Sequence, residues 1–147
     1  MAYNLQTSIP ISFQTGDDLS NSQFMFVRLG TDGLLYAADT TTSALGILTN
    51  QPSAAAQGQY AGTVDIVGVT RLCVQQAYPI GTWLVPGVDG TYRGIGMSVA
   101  DASVLACYNP ASFIRARALQ ASTASYDIIA VRLIDPSPGC DGTSLGL

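Results

Sequence analysis

The chain has 147 residues, of which 48% are hydrophobic and only 11% are charged, and its formal net charge is -4. These values indicate one folded domain and argue against a disordered chain. They also argue against nucleic-acid binding, since phosphate recognition depends on clustered Lys and Arg side chains. No apolar run approaches the roughly 18 residues of a membrane span, and Met1 to Asn4 lacks the basic and apolar regions of a signal peptide.

The charged residues are of only two kinds, because every basic residue is Arg, every acidic residue is Asp, and Lys, Glu and His are absent. Lys and Glu are typical of exposed helix faces, so their absence disfavours a helical protein. Without His, the usual nucleophile–base pairs and zinc sites are excluded, and no phosphate-binding loop is present. We therefore predict no enzymatic activity, no metal and no cofactor. The low charge favours a surface covered by partners, with a compositional bias of the source organism as an equally good explanation.

The N-terminal segment from Leu5 to Phe13 places Ile9, Ile11 and Phe13 at alternate positions, with Pro10 among them. This alternation predicts a strand, and Pro lacks the N–H that an inner strand requires. We therefore expect an edge strand or an extended arm. A terminus that packs on its own domain is the alternative.

A loop and a strand are predicted next. Asp17 and Asp18 lie in a loop with Gly and Ser, where Asp usually accepts hydrogen bonds from nearby backbone; a metal or acid–base site is the alternative. The segment Gln23 to Leu29 is predicted to be a strand with both faces covered, because large apolar residues occupy both alternating sets of positions. A hairpin turn follows at Thr31 to Gly33.

The central segment from Val64 to Val74 predicts strand structure with one buried face and one solvated face. Thr63, Asp65 and Arg71 fall on the solvated face. Gly68 interrupts the alternation, which predicts a bend or bulge that divides the segment.

Near the C-terminus, Phe113 to Gln120 and Tyr126 to Ile134 predict a hairpin of two strands. Arg115 and Arg117 lie on one exposed face of the first strand, about 7 Å apart. They are candidates to pair with carboxylates of another protein. The alternative is a solvated face that keeps a sheet edge from aggregating.

The predicted fold is all-β, a small β-barrel or sandwich of short antiparallel strands with at most one short helix. That helix is predicted from Val99 to Cys107, after an N-capping pattern, and it ends before Asn109-Pro110. We divide the chain into an N-terminal arm or edge strand (1–14), one β-domain (15–135) and a C-terminal tail (136–147).

A series of short motifs runs through the centre of the chain. They are Gly46-Ile47-Leu48, Asn50-Gln51-Pro52, the small-residue loop Ser53 to Gly58, the strand segment Val64 to Val74, and Ile80-Gly81-Thr82-Trp83-Leu84. Their order and spacing resemble those of the capsid decoration, or cement, proteins of tailed bacteriophages. The loop at Asp17 and the C-terminal hairpin also resemble this family, so the resemblance extends from about Gly16 to Ile134.

This resemblance implies a structural virion protein that binds the outer surface of a phage head, contacts the major capsid protein and stabilises the shell. It further implies a homotrimer on the capsid exterior, assembled in the host cytoplasm, with no nucleic-acid or membrane partner. The family has no short contact motif that can be transferred residue by residue. The candidate contacts are therefore Ile9, Ile11 and Phe13 in the N-terminal segment, and Arg115 and Arg117 in the hairpin.

The alternative function is a β-sandwich binding module, such as a carbohydrate-binding or adhesin-like component of a tail or fibre. Trp83, Tyr78 and Tyr92 would then form a platform on which sugars stack. A core position for Trp83 is the competing interpretation. A lectin requires exposed aromatic side chains beside polar groups, whereas a decoration protein requires apolar, weakly charged contact faces.

Overall fold

The computed structural model describes residues 8–38, 44–52, 61–87, 93–97 and 115–134. Within these residues the protein is built of strands and contains no helix, which confirms the predicted all-β class. The strands are β1 (Ser8–Gln14), β2 (Phe26–Leu29), β3 (Leu35–Ala37), β4 (Gly46–Leu48), β5 (Ala61–Cys73), β6 (Trp83–Pro86), β7 (Gly94–Met97), β8 (Arg115–Ala118) and β9 (Ile128–Ile134). The helix predicted at 99–107 and the tail at 136–147 lie outside the described residues.

Strand β5 joins two curved halves of the sheet. Its first part pairs with β1 and β4, and its last part pairs with β9. Gly68 lies at the changeover, opposite both Ser8 of β1 and Leu133 of β9, with a φ of 96°. Gly adopts a positive φ readily, whereas residues with a Cβ do so at a cost. The register shifts at this point, since Ser8 pairs with Gly68 but Pro10 pairs with Asp65, which confirms the predicted irregularity. The predicted division of the segment is wrong, because β5 is one continuous strand that contributes to both halves.

The N-terminal half-barrel consists of β1, β5, β4, β2 and β3, in this order. A parallel bridge between Thr15 and Leu35 brings the end of β1 to β3 and completes the curve. The buried residues inside it are Leu19, Val27, Leu35, Leu48 and Val64. A Cβ at Gly62 would lie only 2.8 Å from Cδ1 of Leu35, so a residue without a side chain is needed there.

The C-terminal half-barrel consists of β5, β9, β8, β6 and β7. A parallel bridge between Val74 and Gly94 links the end of β5 to β7. The buried residues of this half are Leu72, Val74, Leu84, Ala116, Ala118, Ile129, Val131 and Leu133. Since the inward side chains of β8 are both Ala, this strand lies close to the core while its other face is free for larger residues.

Strands β2 and β4 form a wall that both half-barrels share. Val27 and Leu48 face the N-terminal core, whereas their neighbours Phe26 and Ile47 belong to the C-terminal core. All four side chains are fully buried. Burying each of them contributes about 1.5–3 kcal/mol. The predicted strand with both faces covered is thus confirmed at Phe26 and Val27, and the two halves depend on the same residues.

The ends of this strand differ from the prediction. β2 begins at Phe26, because Phe24 has a φ of 62° and is not extended. The N–H of Phe24 donates to the carbonyl of Leu48, and its own carbonyl accepts from the N–H of Cys73. Leu29, expected to be covered, is 41% exposed because the strand ends there in the exposed hairpin.

Candidate functional site

The outer surface of the C-terminal half-barrel carries three exposed arginines, Arg71, Arg117 and Arg132. Pairing places Arg117 opposite Arg132, and Arg132 opposite Val69 of β5. Neighbouring strands lie about 4.8 Å apart, so Arg117, Arg132 and Val69 form a row across the sheet. Arg71 lies two positions from Val69 and therefore on the same face. Arg117, predicted from the sequence, is thus one part of a larger basic surface.

Aliphatic side chains lie among these arginines. Val69, Leu119 and Ile128 are all exposed. The N–H of Leu119 donates to the carbonyl of Ala130 at 2.9 Å, and Ala130 lies opposite Arg71. We call this surface the arginine face; it comprises Val69, Arg71, Arg117, Leu119, Ile128 and Arg132. Arginine beside exposed aliphatic groups is a composition typical of protein–protein interfaces.

The two arginines predicted as candidate contacts are placed differently. The guanidinium group of Arg117 lies 5.7 Å from the ring centroid of Trp83, its partner across the β6–β8 pairing. This cation–π contact orients the Arg117 side chain on the surface. Arg115 lies opposite Ile134 in the β8–β9 pairing, and its side chain is outside what the structure describes.

Strand β8 is an inner strand, because β9 pairs along one side of it and β6 along the other. Protection of a sheet edge, the alternative explanation for these cations, therefore does not fit Arg117. Like charges directly opposite each other on neighbouring strands are destabilising. The Arg117–Arg132 pair thus has an unfavourable effect on the isolated fold.

The N-terminal segment forms β1, which pairs antiparallel with β5. Ile9 and Ile11 are 51% and 39% exposed. Phe13 is half-buried and packs against the N-terminal core, opposite Gly62. The structure therefore separates the predicted apolar contacts into two exposed residues and one that anchors the strand.

Two aspartates of the N-terminal half-barrel accept hydrogen bonds within their own loops. Asp18 accepts from the hydroxyl and the backbone N–H of Ser20, at 2.6 and 3.0 Å. Asp32 accepts from the hydroxyl of Tyr36 at 2.6 Å and from the N–H of Leu34 at 3.0 Å. These bonds stabilise the ionised carboxylates and lower the pKa of each below its usual value. The predicted backbone-bonding role is confirmed for Asp18.

Asp127 has the same role in the C-terminal half-barrel. Its carboxylate accepts from the N–H of Thr123 at 2.8 Å and from the N–H of Ala124 at 3.1 Å. These bonds lower the pKa of Asp127 and hold the loop between β8 and β9. The carboxylates of Asp18, Asp32 and Asp127 therefore have a local structural role, and none of them indicates a metal or acid–base site.

A solvent-open depression of about 430 Å³ lies where β5 passes between the two half-barrels. It is lined by Ser8, Phe24, Thr49, Asp65, Val69, Thr70, Arg71 and Ala130. Asp65 is only 7% exposed, so its predicted position on a solvated face is wrong. It lies opposite Pro10 of β1 and Ile47 of β4, and Ile47 packs in the C-terminal core. Alternation within β5 alone gave no signal of this position.

The aromatic residues considered for sugar stacking do not share one exposed surface. Tyr78 is partly buried against the C-terminal core. Trp83 is half-buried, with the Arg117 guanidinium over its ring. Tyr92 lies outside the described residues. Tyr78 and Trp83 are therefore poorly placed for the stacking platform that carbohydrate binding requires.

Comparisons with known proteins do not assign the chain to a family, since no protein-family model matches it and no curated protein matches it. Among the described residues, no three His, Cys, Asp or Glu side chains come together as potential metal ligands. The same residues include no helix with the length and hydropathy of a membrane span. The arginine face and the adjoining depression are thus the candidate functional features.

Proposed function

We propose that this protein is a decoration protein that binds the outside of a phage capsid and stabilises the head. Two features support this function. The motifs between Gly46 and Leu84 resemble those of phage cement proteins in order and spacing. The arginine face is more charged than the contact face expected from the sequence, but it joins arginine, a residue enriched at protein interfaces, to exposed aliphatic groups on an all-β scaffold.

The single observation that carries the proposal is Arg117 opposite Arg132 on two inner strands. An acidic patch on the shell would relieve the repulsion between these cations. It would also accept paired, charge-assisted hydrogen bonds from the two planar guanidinium groups. Burial of Val69, Leu119 and Ile128 at the same contact would add hydrophobic stabilisation of about 25 cal/mol per Å² of apolar surface.

The stabilising mechanism is mass action combined with multivalency. Each bound copy adds interface area to the assembled shell and none to separated shell subunits, so binding favours the assembled state. Many copies, each making a modest contact, together oppose separation of the shell. The exposed edge of β1, with Ile9 and Ile11, is a second contact candidate and suits self-association into the proposed homotrimer.

The test is a sedimentation assay with the purified protein and phage heads from a lysate in which its gene is deleted. We expect the unmodified protein to bind and the double variant Arg117→Ala, Arg132→Ala to bind at least tenfold more weakly. A tenfold loss corresponds to about 1.4 kcal/mol. Arg28→Ala is the matched control, because Arg28 lies on β2 of the other half-barrel and stacks over Tyr36.

Two results would contradict the proposal at different levels. Equal binding by the double variant would exclude the arginine face as the contact. No binding by the folded, unmodified protein would exclude the decoration function itself.

A further inference from the structure

Asp65 differs from Asp18, Asp32 and Asp127, whose carboxylates accept hydrogen bonds within their own loops. Its side chain is more than nine-tenths buried and lines the depression beside the arginine face. Within the described part of the chain, no donor forms a hydrogen bond or ion pair with its carboxylate. Its carboxylate oxygens are not among the buried polar atoms that lack a partner, so they reach the solvent of the depression. The carboxylate is therefore accessible to a ligand that enters the depression.

The walls of the depression indicate which chemical group fits. Phe24, Val69 and Ala130 provide apolar surface, and Ser8 and Thr70 provide hydroxyl groups. A long basic side chain matches both kinds of wall, because its apolar stem can lie against hydrophobic residues while its charged end reaches a polar group. The volume of about 430 Å³ is sufficient for one such side chain.

Arg71 on the same wall narrows the choice of ligand. Its positive charge disfavours an isolated metal ion or free amine in the depression. A basic side chain on a protein surface that also carries acids avoids this repulsion, because a neighbouring carboxylate can pair with Arg71. Val69 and Arg71 belong to both the depression and the arginine face, so one partner can cover both.

We infer that the depression around Asp65 is a socket for one Arg or Lys side chain of the protein that covers the arginine face. The identity of that protein as the capsid rests on the proposed function; the recognition of a basic side chain does not. The partner surface is then acidic opposite Arg117 and Arg132, with one basic residue opposite Asp65. This alternation of charge would fix the orientation in which the protein binds.

The first test is an NMR titration of the protein with the blocked dipeptide N-acetyl-Arg-Asp-amide, whose carboxylate can pair with Arg71. The probe without a cation is N-acetyl-Gln-Asp-amide. We expect saturable shifts of the backbone amides of Ser8, Thr49 and Thr70 with the arginine probe only. Asp65→Asn should weaken this binding at least tenfold. Asp17→Asn, which removes an exposed carboxylate in a distant loop, should leave it unchanged. Equal binding by the Asp65→Asn variant, or no shifts in the unmodified protein, would overturn the inference.

The thermal midpoint of the Asp65→Asn variant separates a socket from a structural role. A socket predicts a midpoint that is not lowered, because the Asp65 carboxylate forms no hydrogen bond with the described residues that the amide would lose. A lowered midpoint together with unchanged probe binding would show that Asp65 stabilises the fold and not a ligand. Saturable shifts with Ca²⁺ and none with the arginine probe would replace the socket with a metal site.

The sedimentation assay with phage heads then distinguishes failure of the socket inference from failure of the proposed decoration function. We expect Asp65→Asn to weaken sedimentation with heads at least tenfold and Asp17→Asn to have no effect. Full binding by Asp65→Asn, with loss in the Arg117→Ala, Arg132→Ala variant, would overturn the socket and leave the decoration function intact. Failure of the unmodified protein to bind heads, with a positive NMR titration, would support the socket and exclude the capsid as its partner.

Discussion

The two half-barrels share one strand and one wall, yet the described parts differ in charge. The N-terminal half (8–38, 44–52 and 61–67) has four aspartates and one arginine, whereas the C-terminal half (68–87, 93–97 and 115–134) has one aspartate and five arginines. The remaining aspartates, Asp39, Asp89, Asp101, Asp135 and Asp141, lie outside the described residues. A net charge of -4 therefore does not describe the surface that a partner would meet.

The two halves also use their charges differently. In the N-terminal half, Asp18 and Asp32 accept hydrogen bonds that hold their own loops. On the C-terminal half, Arg117 and Arg132 lie opposite each other on an exposed face. A hydrogen-bonded carboxylate stabilises the isolated fold, while opposed like charges weaken it. The comparison therefore associates the opposed arginines of the second half with recognition. Each half also has an exception, because Asp127 holds a loop in the second half and Asp65 lines the proposed socket in the first.

The largest predicted effect concerns the wall that makes the halves interdependent. Phe26→Ala removes a fully buried ring from this wall and should lower the free energy of unfolding by about 3–5 kcal/mol. Leu29→Ala, at the exposed end of the same strand, should cost much less. Chemical denaturation followed by fluorescence and circular dichroism should show one shifted transition. Two separate transitions, with only one of them shifted, would show that the halves fold independently.

A smaller effect is predicted for the opposed arginines. Arg132→Gln removes the like charge opposite Arg117 and should raise the free energy of unfolding by about 0.2–1 kcal/mol at low ionic strength. Added salt should reduce this gain, since the pair is exposed to solvent. Arg28→Gln should instead be neutral or slightly destabilising, because Arg28 lies 4.7 Å from the Tyr36 ring centroid. Equal effects of the two substitutions would remove the distinction between the half-barrels.

The smallest predicted effect is on the acid sensitivity of the loops. Hydrogen bonds lower the folded-state pKa of Asp18 and Asp32. Their contribution to stability is therefore complete above the unfolded-state pKa of about 4 and is lost as pH falls through the lower folded-state values. As the pH is lowered below about 4, the thermal midpoint should decrease. In an Asp18→Asn, Asp32→Asn variant it should decrease less steeply. An identical pH profile in that variant would contradict a structural role for these carboxylates.

Much of the fold could be predicted because its signals are local. Alternating apolar residues indicated the strands around β5 and β9. Gly68 indicated the irregularity at which β5 changes from pairing with β1 and β4 to pairing with β9. The absence of Lys and Glu correctly disfavoured helices in the described residues. Each of these inferences needs only the periodicity or conformational preference of neighbouring residues.

The candidate site was harder to predict, because strand pairing determines its composition. Arg117 could be identified within its own strand, but its position opposite Arg132 depends on the β8–β9 register. Asp65 occupies a solvated position by alternation, yet it is buried, and its pairing with Ile47 of the shared wall is not evident from β5 alone. Ile11 and Phe13 share one alternating pattern, yet Phe13 packs against the N-terminal core while Ile11 is exposed.

The most direct test of the proposed function is quantitative mass spectrometry of density-purified, DNA-filled particles from the source lysate. The proposal predicts that this chain is present at a stoichiometry comparable to that of the major capsid protein. A few copies per particle would point to a tail or fibre component. Absence from the particles would contradict a structural role in the virion.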